Sequence, residues 1–330
     1  MLGFNAPINI SSDQRPQLVV VIDTEEEFDW NAPADRNKTG VTAMDYIYRA
    51  QDIFDEYNIT PCYVVDYPVV SQDHGSRALK KIFNDGRCEI GAHLHPWVSP
   101  PLDEEMLPEN TFPGNLDADL EREKLQVLTD QIELVFGCRP TSYKAGRYGV
   151  GPNTAKILSD LGYQTDLSLC PPVDYSDQKG PDFSGCHAEP FWFGENNSLL
   201  EIPISGAFVG WAGAFAKPIY NFGMKFKQFK LPGIFSRLSL VDRLMLSPEG
   251  FTSEDHIKLT LFLYSRGVRT FTWSFHSPTV VPGHTSYVQN EQQLEQFLGT
   301  FRTYFDFFFN QLDGEATTPT KLRSQLRGLK

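Results

Sequence analysis

The sequence has few cysteines and no pair of the metal-binding or redox type. Cys62, Cys88, Cys138, Cys170 and Cys186 are scattered, odd in number and form no CxxC. That pattern argues against a disulfide framework and a structural zinc site as organising devices. No run of about 18 apolar residues occurs, so no transmembrane helix is expected. Residues 1–15 lack the basic-then-apolar pattern of a secretory leader. These absences give the expectation of a reduced, cytoplasmic protein. Positive charge is also scarce: 29 Lys and Arg against 42 Asp and Glu leave a net charge of −13. That balance argues against general binding to nucleic acid or an anionic membrane, though not against a local basic patch. No internal repeat is present.

What is there is a large globular composition, with 330 residues of which 41% are hydrophobic and 22% charged. Strand-like apolar runs fall at Leu18–Ile22, Cys62–Val65, Cys88–His93, Ser142–Ala145, Gln164–Leu169, Leu199–Ile204 and Thr270–Phe275. Helical periods lie between them, at Val41–Tyr57, Arg77–Asn84, Leu116–Phe136, Asn153–Leu161 and Leu294–Phe308. Strand–helix alternation predicts a parallel sheet with helices outside. About seven such units suit a distorted (β/α) barrel better than an open sheet. The expectation is one domain over residues 1–320 and a basic tail over 321–330, with fraying expected after Asp313. Two stretches break the alternation. Pro96–Pro113 reads as a loop. An insertion at about 205–255 interleaves aromatics with Lys217, Lys225, Lys227, Lys230, Arg237 and Arg243. It reads either as a helical excursion packed on the barrel or as a lid or docking surface.

In such a barrel the chemistry gathers where strands end. The first run ends in Asp23-Thr-Glu25-Glu26-Glu27. Carboxylates this close repel one another and resist desolvation, a conflict that a bound cation relieves. The third run ends in His93-Leu-His95-Pro-Trp97, the fourth in Lys144-Ala-Gly-Arg147-Tyr148 and the seventh in Phe275-His276. Residues two apart in an extended segment face the same way, so His93 and His95 can address one ion. Two histidines and one carboxylate make an open catalytic zinc set, and non-haem iron uses similar ligands. His74, His187, His256 and His284 lack such context and are expected in loops or on the surface.

These residues, in this order, resemble the polysaccharide deacetylase family, the NodB-homology carbohydrate esterases. Asp23-Thr-Glu25-Glu26 resembles its aspartate-base motif, and Ile90-Gly-Ala-His93-Leu-His95 its metal-histidine motif. Tyr143-Lys144-Ala-Gly-Arg147-Tyr148 resembles the arginine loop, Asp166-Leu-Ser168 the fourth motif and Phe275-His276 the acid-histidine strand. The matches run from Leu18 to Pro278. Two features depart from the family: its metal histidines usually stand four apart, and its arginine is Lys144 here.

The resemblance implies a NodB-like barrel and a metal-dependent hydrolase that removes an N-acetyl or related acyl group from a sugar. It implies a divalent metal, zinc with cobalt or manganese as alternatives, on Glu25, His93 and His95. Glu26 is the alternative to Glu25, which alternation favours. Asp23 would be the base, His276 the acid, and Lys144 or Arg147 the cation that keeps Asp23 ionised. Trp97, Tyr148, Asp166 and Trp211 are expected to line the substrate site. The expected partner is a carbohydrate or sugar-containing substrate, and the basic insertion would suit a phosphate-linked one. Two rival readings share the residues: an amidohydrolase acting on a small cyclic amide or ureide, and a non-catalytic glycan-binding relative.

Overall fold

The computed structural model describes residues 5–328. Seven parallel strands form its frame: β1 (Gln17–Thr24), β2 (Cys62–Val65), β3 (Glu89–Leu94), β4 (Ser142–Ala145), β5 (Thr165–Asp166), β7 (Leu199–Glu201) and β10 (Thr270–His276). They lie in the order β10-β1-β2-β3-β4-β5-β7, with β6 (Phe191–Phe193) antiparallel at the far edge. The sheet curls into a half-barrel. Each predicted apolar run supplies one parallel strand. β11 (Glu315–Thr317) pairs with the first residues of β1, on the edge that β2 occupies further along. Past β7 the chain keeps bonding along the sheet: Ile204 N–H donates to Leu169 O, and Ser205 N–H to Thr272 O on β10.

Helices cover the outer face. α1 (Tyr48–Glu56), α2 (Tyr67–Ser71), α3 (Asp73–Asn84), α4 (Ala118–Phe136) and α5 (Thr154–Asp160) follow the first four strands. α4 shows why the sequence makes a helix there. Asp117 caps its first turn, Leu125, Leu128, Ile132 and Phe136 bury one stripe, and Gly137 ends it with φ of 71°. α8 (Ser253–Tyr264) and α9 (Glu291–Asp306) flank β10. Phe297, Phe301 and Phe305 of α9 pack with Trp273 and Phe54 in the larger core.

Alternation along each strand splits the burial between two faces. Leu18, Val20 and Ile22 join the helices, whereas Val19, Val21, Cys62 and Val64 meet Leu200, Ile202, Leu322 and Leu326 on the inner face. The last two belong to α10 (Pro319–Arg327), in the segment expected to fray. Thr318 caps that helix, Pro319 opens it, and Leu322 and Leu326, four apart, bury against the sheet.

The insertion is a hairpin, β8 (Gly206–Val209) paired antiparallel with β9 (Asp242–Met245). Between them stand the short helices α6 (Ala216–Lys225) and α7 (Leu231–Arg237). Its base is tied to the barrel, because Leu246 N–H donates to Ser205 O and Ser274 N–H donates to Leu246 O. No helix among the described residues is long and apolar enough to cross a membrane.

Candidate active site and metal centre

The inner face of β1 runs from Val19 and Val21 to Asp23, so its apolar stripe ends in a buried carboxylate. Asp23 pairs in register with His276 of β10, and on the next strands His93 pairs with Lys144. Register alone thus brings four polar side chains to one edge. Lys144 Nζ donates to both Asp23 oxygens at 2.6 and 2.7 Å and to Ser274 Oγ at 3.1 Å. Burial would raise the Asp23 pKa, but the positive charge of Lys144 and, less strongly, that of His276 outweigh it and the net shift is downward. Asp23 is therefore held as a carboxylate.

His93 and His95 are each fixed by a partner on Nδ1. His93 Nδ1 lies 3.0 Å from Lys144 O, and His95 Nδ1 lies 2.8 Å from Glu26 Oε2. Lys144 O can only accept, which assigns the His93 proton to Nδ1; Glu26, whose pKa burial pushes up to about 7, does the same for His95 in its ionised form, and the Nε2 lone pairs are then free. Those lone pairs face Glu25 Oε2 at 3.4 and 3.5 Å. Burial pushes the His93 pKa well below 6.5 and that of His95 down to about 4, so both rings stay neutral. Burial, then the carboxylates of Glu26, Asp23, Asp66 and Glu249, push the Glu25 pKa well up. Glu25 Oε1 is buried with no hydrogen-bond partner.

Three electron-pair donors thus converge with no hydrogen to share unless Glu25 is protonated. A divalent cation replaces that proton. A tetrahedral zinc site with bonds of about 2.1 Å has donor–donor edges of about 3.4 Å, close to the 3.4 and 3.5 Å that separate Glu25 Oε2 from the two histidines. The donor set Glu25, His93 and His95 fits a catalytic metal.

A second acidic group, Glu26, Asp66 and His95, is satisfied internally. Trp97 Nε1 donates to Glu26 Oε1 at 2.8 Å, Glu26 N–H donates to Asp66 Oδ2 at 2.7 Å, and Val69 N–H donates to Asp66 Oδ1. Glu26 orients His95 as an outer carboxylate does in metal sites. Gly146 is required beside it: a Cβ there would stand 2.5 Å from His95 Cδ2. Arg147 and Tyr148 follow with φ of 53° and 58°, left-handed conformations that cost non-glycine residues energy and turn this loop over the site.

His276 is held from behind by Glu249, a residue that the sequence reading missed. Glu249 Oε2 accepts from His276 Nδ1 at 2.6 Å, and Oε1 accepts from the His276 backbone N–H and from Thr279 Oγ1. The ring's Nε2 then points at Asp23 Oδ2, 3.5 Å away. Burial disfavours the imidazolium, but Glu249 and Asp23 override it and raise the pKa above 6.5.

These groups line one cavity of about 460 Å³. Phe28, Trp30 and Tyr148 form apolar walls, and the Trp30 ring sits 4.4 Å from that of His276. No family model matches the chain, and no curated protein matches it. Solved structures do. It is similar to a candidate polysaccharide deacetylase from Mycobacterium smegmatis, with a TM-score of 0.58 and 16% identity, covering 100% of this chain and 96% of that one. It is similar to Puue allantoinase, with a TM-score of 0.57 and 13% identity over 99% and 96% of the two chains. A probable polysaccharide deacetylase from Pseudomonas aeruginosa PAO1 gives 0.55 and 13% over 99% and 95%. The fold is the NodB-like fold of the polysaccharide deacetylases.

Within this NodB-like barrel some predicted residues take other partners than expected, and some lie away from the cavity. Arg147 lines the cavity but bonds Thr111 and Gln178 and stacks over Phe112; Asp23 takes Lys144 instead. Asp166 is in register with Tyr143, and alternation turns both away from the face of Lys144. It meets Ser168 and Glu201 in the wall behind the site. Trp97 borders the cavity but is only 2% exposed, with its ring stacked 4.2 Å from His95 and its N–H spent on Glu26. Trp211 is 72% exposed on the insertion and lies outside the cavity. Glu27, the last carboxylate of the acidic run, accepts from Thr42 Oγ1 and Ala43 N–H. His256, expected in a loop or on the surface, is buried against Trp273 and Tyr304, with Nε2 on Ser247 O. Trp30, Glu249 and Asp66 carried no motif; only their places in the fold reveal them.

Proposed function

We propose that this protein is a metal-dependent hydrolase that removes an N-acetyl or related acyl group from a sugar or glycan precursor. The observation that carries the reading is the division of labour around one cavity. A carboxylate kept ionised, a histidine kept protonated and three converging metal donors all face it. Glu25, His93 and His95 would hold the metal, zinc or else cobalt or manganese. When bound it supplies Lewis acidity toward water and the acyl carbonyl. Asp23 takes the proton of the attacking water at Oδ2. A backbone N–H of the Gly146–Tyr148 turn stabilises the oxyanion, and Lys144 keeps Asp23 charged and aimed. His276 delivers its Nε2 proton to the departing amine. Trp30 and Tyr148 would pack on the sugar ring. A phosphate-linked substrate would place its charge at Arg147, since no described residue of the insertion lines the cavity.

The test is acetate release from N-acetylated sugars after chelation and reloading. Activity should be lost with the metal and return with zinc, cobalt or manganese. Full metal loading with no acyl release from any N-acyl sugar would sink the proposal. The cavity volume favours a second reading, because about 460 Å³ suits a small cyclic amide or ureide as well as one sugar unit. Ring opening of a ureide by the reloaded protein, without acetate release, would favour it. A glycan-binding role without catalysis would be marked by less than about a tenth of an equivalent of retained metal and no activity after reloading.

Glu249 sets the pH range. It raises the His276 pKa, so His276 keeps its proton above pH 6.5 and the basic limb of kcat/KM lies above that value. Glu249→Gln removes the raising charge. The basic limb should move to lower pH, and the rate should fall about 10- to 100-fold, as for other outer partners. An unmoved limb in the kcat/KM profile would mean that His276 is not the acid.

A further inference from the structure

The excursion between β8 and β9 is apolar on two sides. α6 turns Ala216, Ile219, Tyr220 and Gly223 inward, where they pack with Phe235, Leu240 and Val241. The approach is close: a Cβ on Gly223 would stand 2.8 Å from the Phe235 ring. A helix that packs on one side ordinarily presents polar residues on the other. Here the outward residues include Trp211, Phe215 and Phe229, at 72%, 70% and 66% exposure, together with Phe222, Ile234 and Leu238. The charged residues among them share one sign. Lys217, Lys225, Lys230 and Arg237 are exposed. From Trp211 to Leu240 the sequence has five basic residues and no acidic one, within a chain of net charge −13.

Exposed aromatic rings with basic side chains beside them suit one environment, the boundary between headgroups and acyl chains of an anionic bilayer. Rings of Trp and Phe enter that boundary while Lys and Arg extend back to the phosphates. The rest of the chain is acidic, so an anionic surface attracts the excursion and repels other approaches. We propose that the α6–α7 excursion is an interfacial anchor that docks this protein on anionic phospholipid membranes. The anchor is independent of the reaction at the cavity, to whose lining no described residue of the excursion contributes.

The experiment is flotation with vesicles of phosphatidylcholine alone and of phosphatidylcholine with about a third phosphatidylglycerol. Binding should be at least about tenfold tighter to the anionic vesicles and should weaken about tenfold as NaCl rises from about 0.1 to 0.5 M. Brominated acyl chains should quench the native protein more than Trp211→Phe, because Trp211 is the ring inserted. The triple variant Lys225→Glu/Lys230→Glu/Arg237→Glu should lose about tenfold or more in anionic binding. Phe222→Ser/Phe229→Ser should lose the quenching. All five are surface positions, so circular dichroism and hydrolysis of a water-soluble substrate should be unchanged. Three results would overturn the proposal: no vesicle binding, equal binding to neutral and anionic vesicles, or full binding by the charge variant. Self-association without lipid that both variants abolish, together with absent vesicle binding, would assign the surface to a second copy of the chain instead.

Discussion

Asp23→Asn is expected to lower kcat by about 10³- to 10⁴-fold while leaving the fold and the metal content intact. The substitution keeps shape and removes only the ability to take a proton. Asp23 Oδ1 and Oδ2 both accept from Lys144 Nζ, and an asparagine can offer Lys144 one oxygen. A stability loss of about 1–3 kcal/mol should accompany the change, because a buried ammonium loses part of its partner. Steady-state kinetics, metal analysis and thermal melting separate the two effects. Retention of more than about a tenth of the activity would move the base elsewhere, since positioned general bases contribute far more than that.

His93→Ala and Glu25→Ala should each lower metal affinity by on the order of 10³-fold or more, beyond the 10- to 100-fold effect of outer-shell changes. Glu26→Gln should show only the smaller effect, because its oxygens serve His95 and Trp97. Chelator competition measures all three. If Glu26→Gln were the more damaging, the ligand would be Glu26 and the role of Glu25 would be electrostatic. The metal-free proteins give a second signature. Glu25 is buried among carboxylates that raise its pKa, so Glu25→Gln should melt higher than the native chain once metal is removed. A residue kept at a cost to the empty fold is what a ligand requires.

The sheet was legible because each parallel strand is buried on both faces and reads as a short apolar run. The seven runs from Leu18–Ile22 to Thr270–Phe275 became seven parallel strands. Short marginal pieces were not legible: Phe191–Phe193, antiparallel to β7, and Glu315–Thr317, parallel to β1, are three residues each, too short for any period to show. At the site, alternation within long strands put Asp23 with Glu25 and His93 with His95 on common faces. It failed at Asp166, where the strand is two residues long and the facing direction follows from pairing with Tyr143. Glu249 lies 27 residues before His276, in a loop with no pattern of its own. Only the return of β9 toward β10 brings the two together. Trp97 and Trp211 show the limit of residue type as a guide. One indole is consumed in holding a histidine and the other stands outside the cavity.

The ties at Ser205 and Leu246 make the excursion separable from the barrel. Residues 210–241 leave and return across one hydrogen-bonded rung, Val209 opposite Asp242. Two antiparallel strands meeting at such a rung can be joined by a two-residue turn such as Asn-Gly. The base of the hairpin, its bonds to β10 and the path to Glu249 would all survive the replacement. The molecule is thus built as a chassis with a socket, in which the segment mounted on the hairpin can be exchanged or grafted without redesigning the chemistry beneath it.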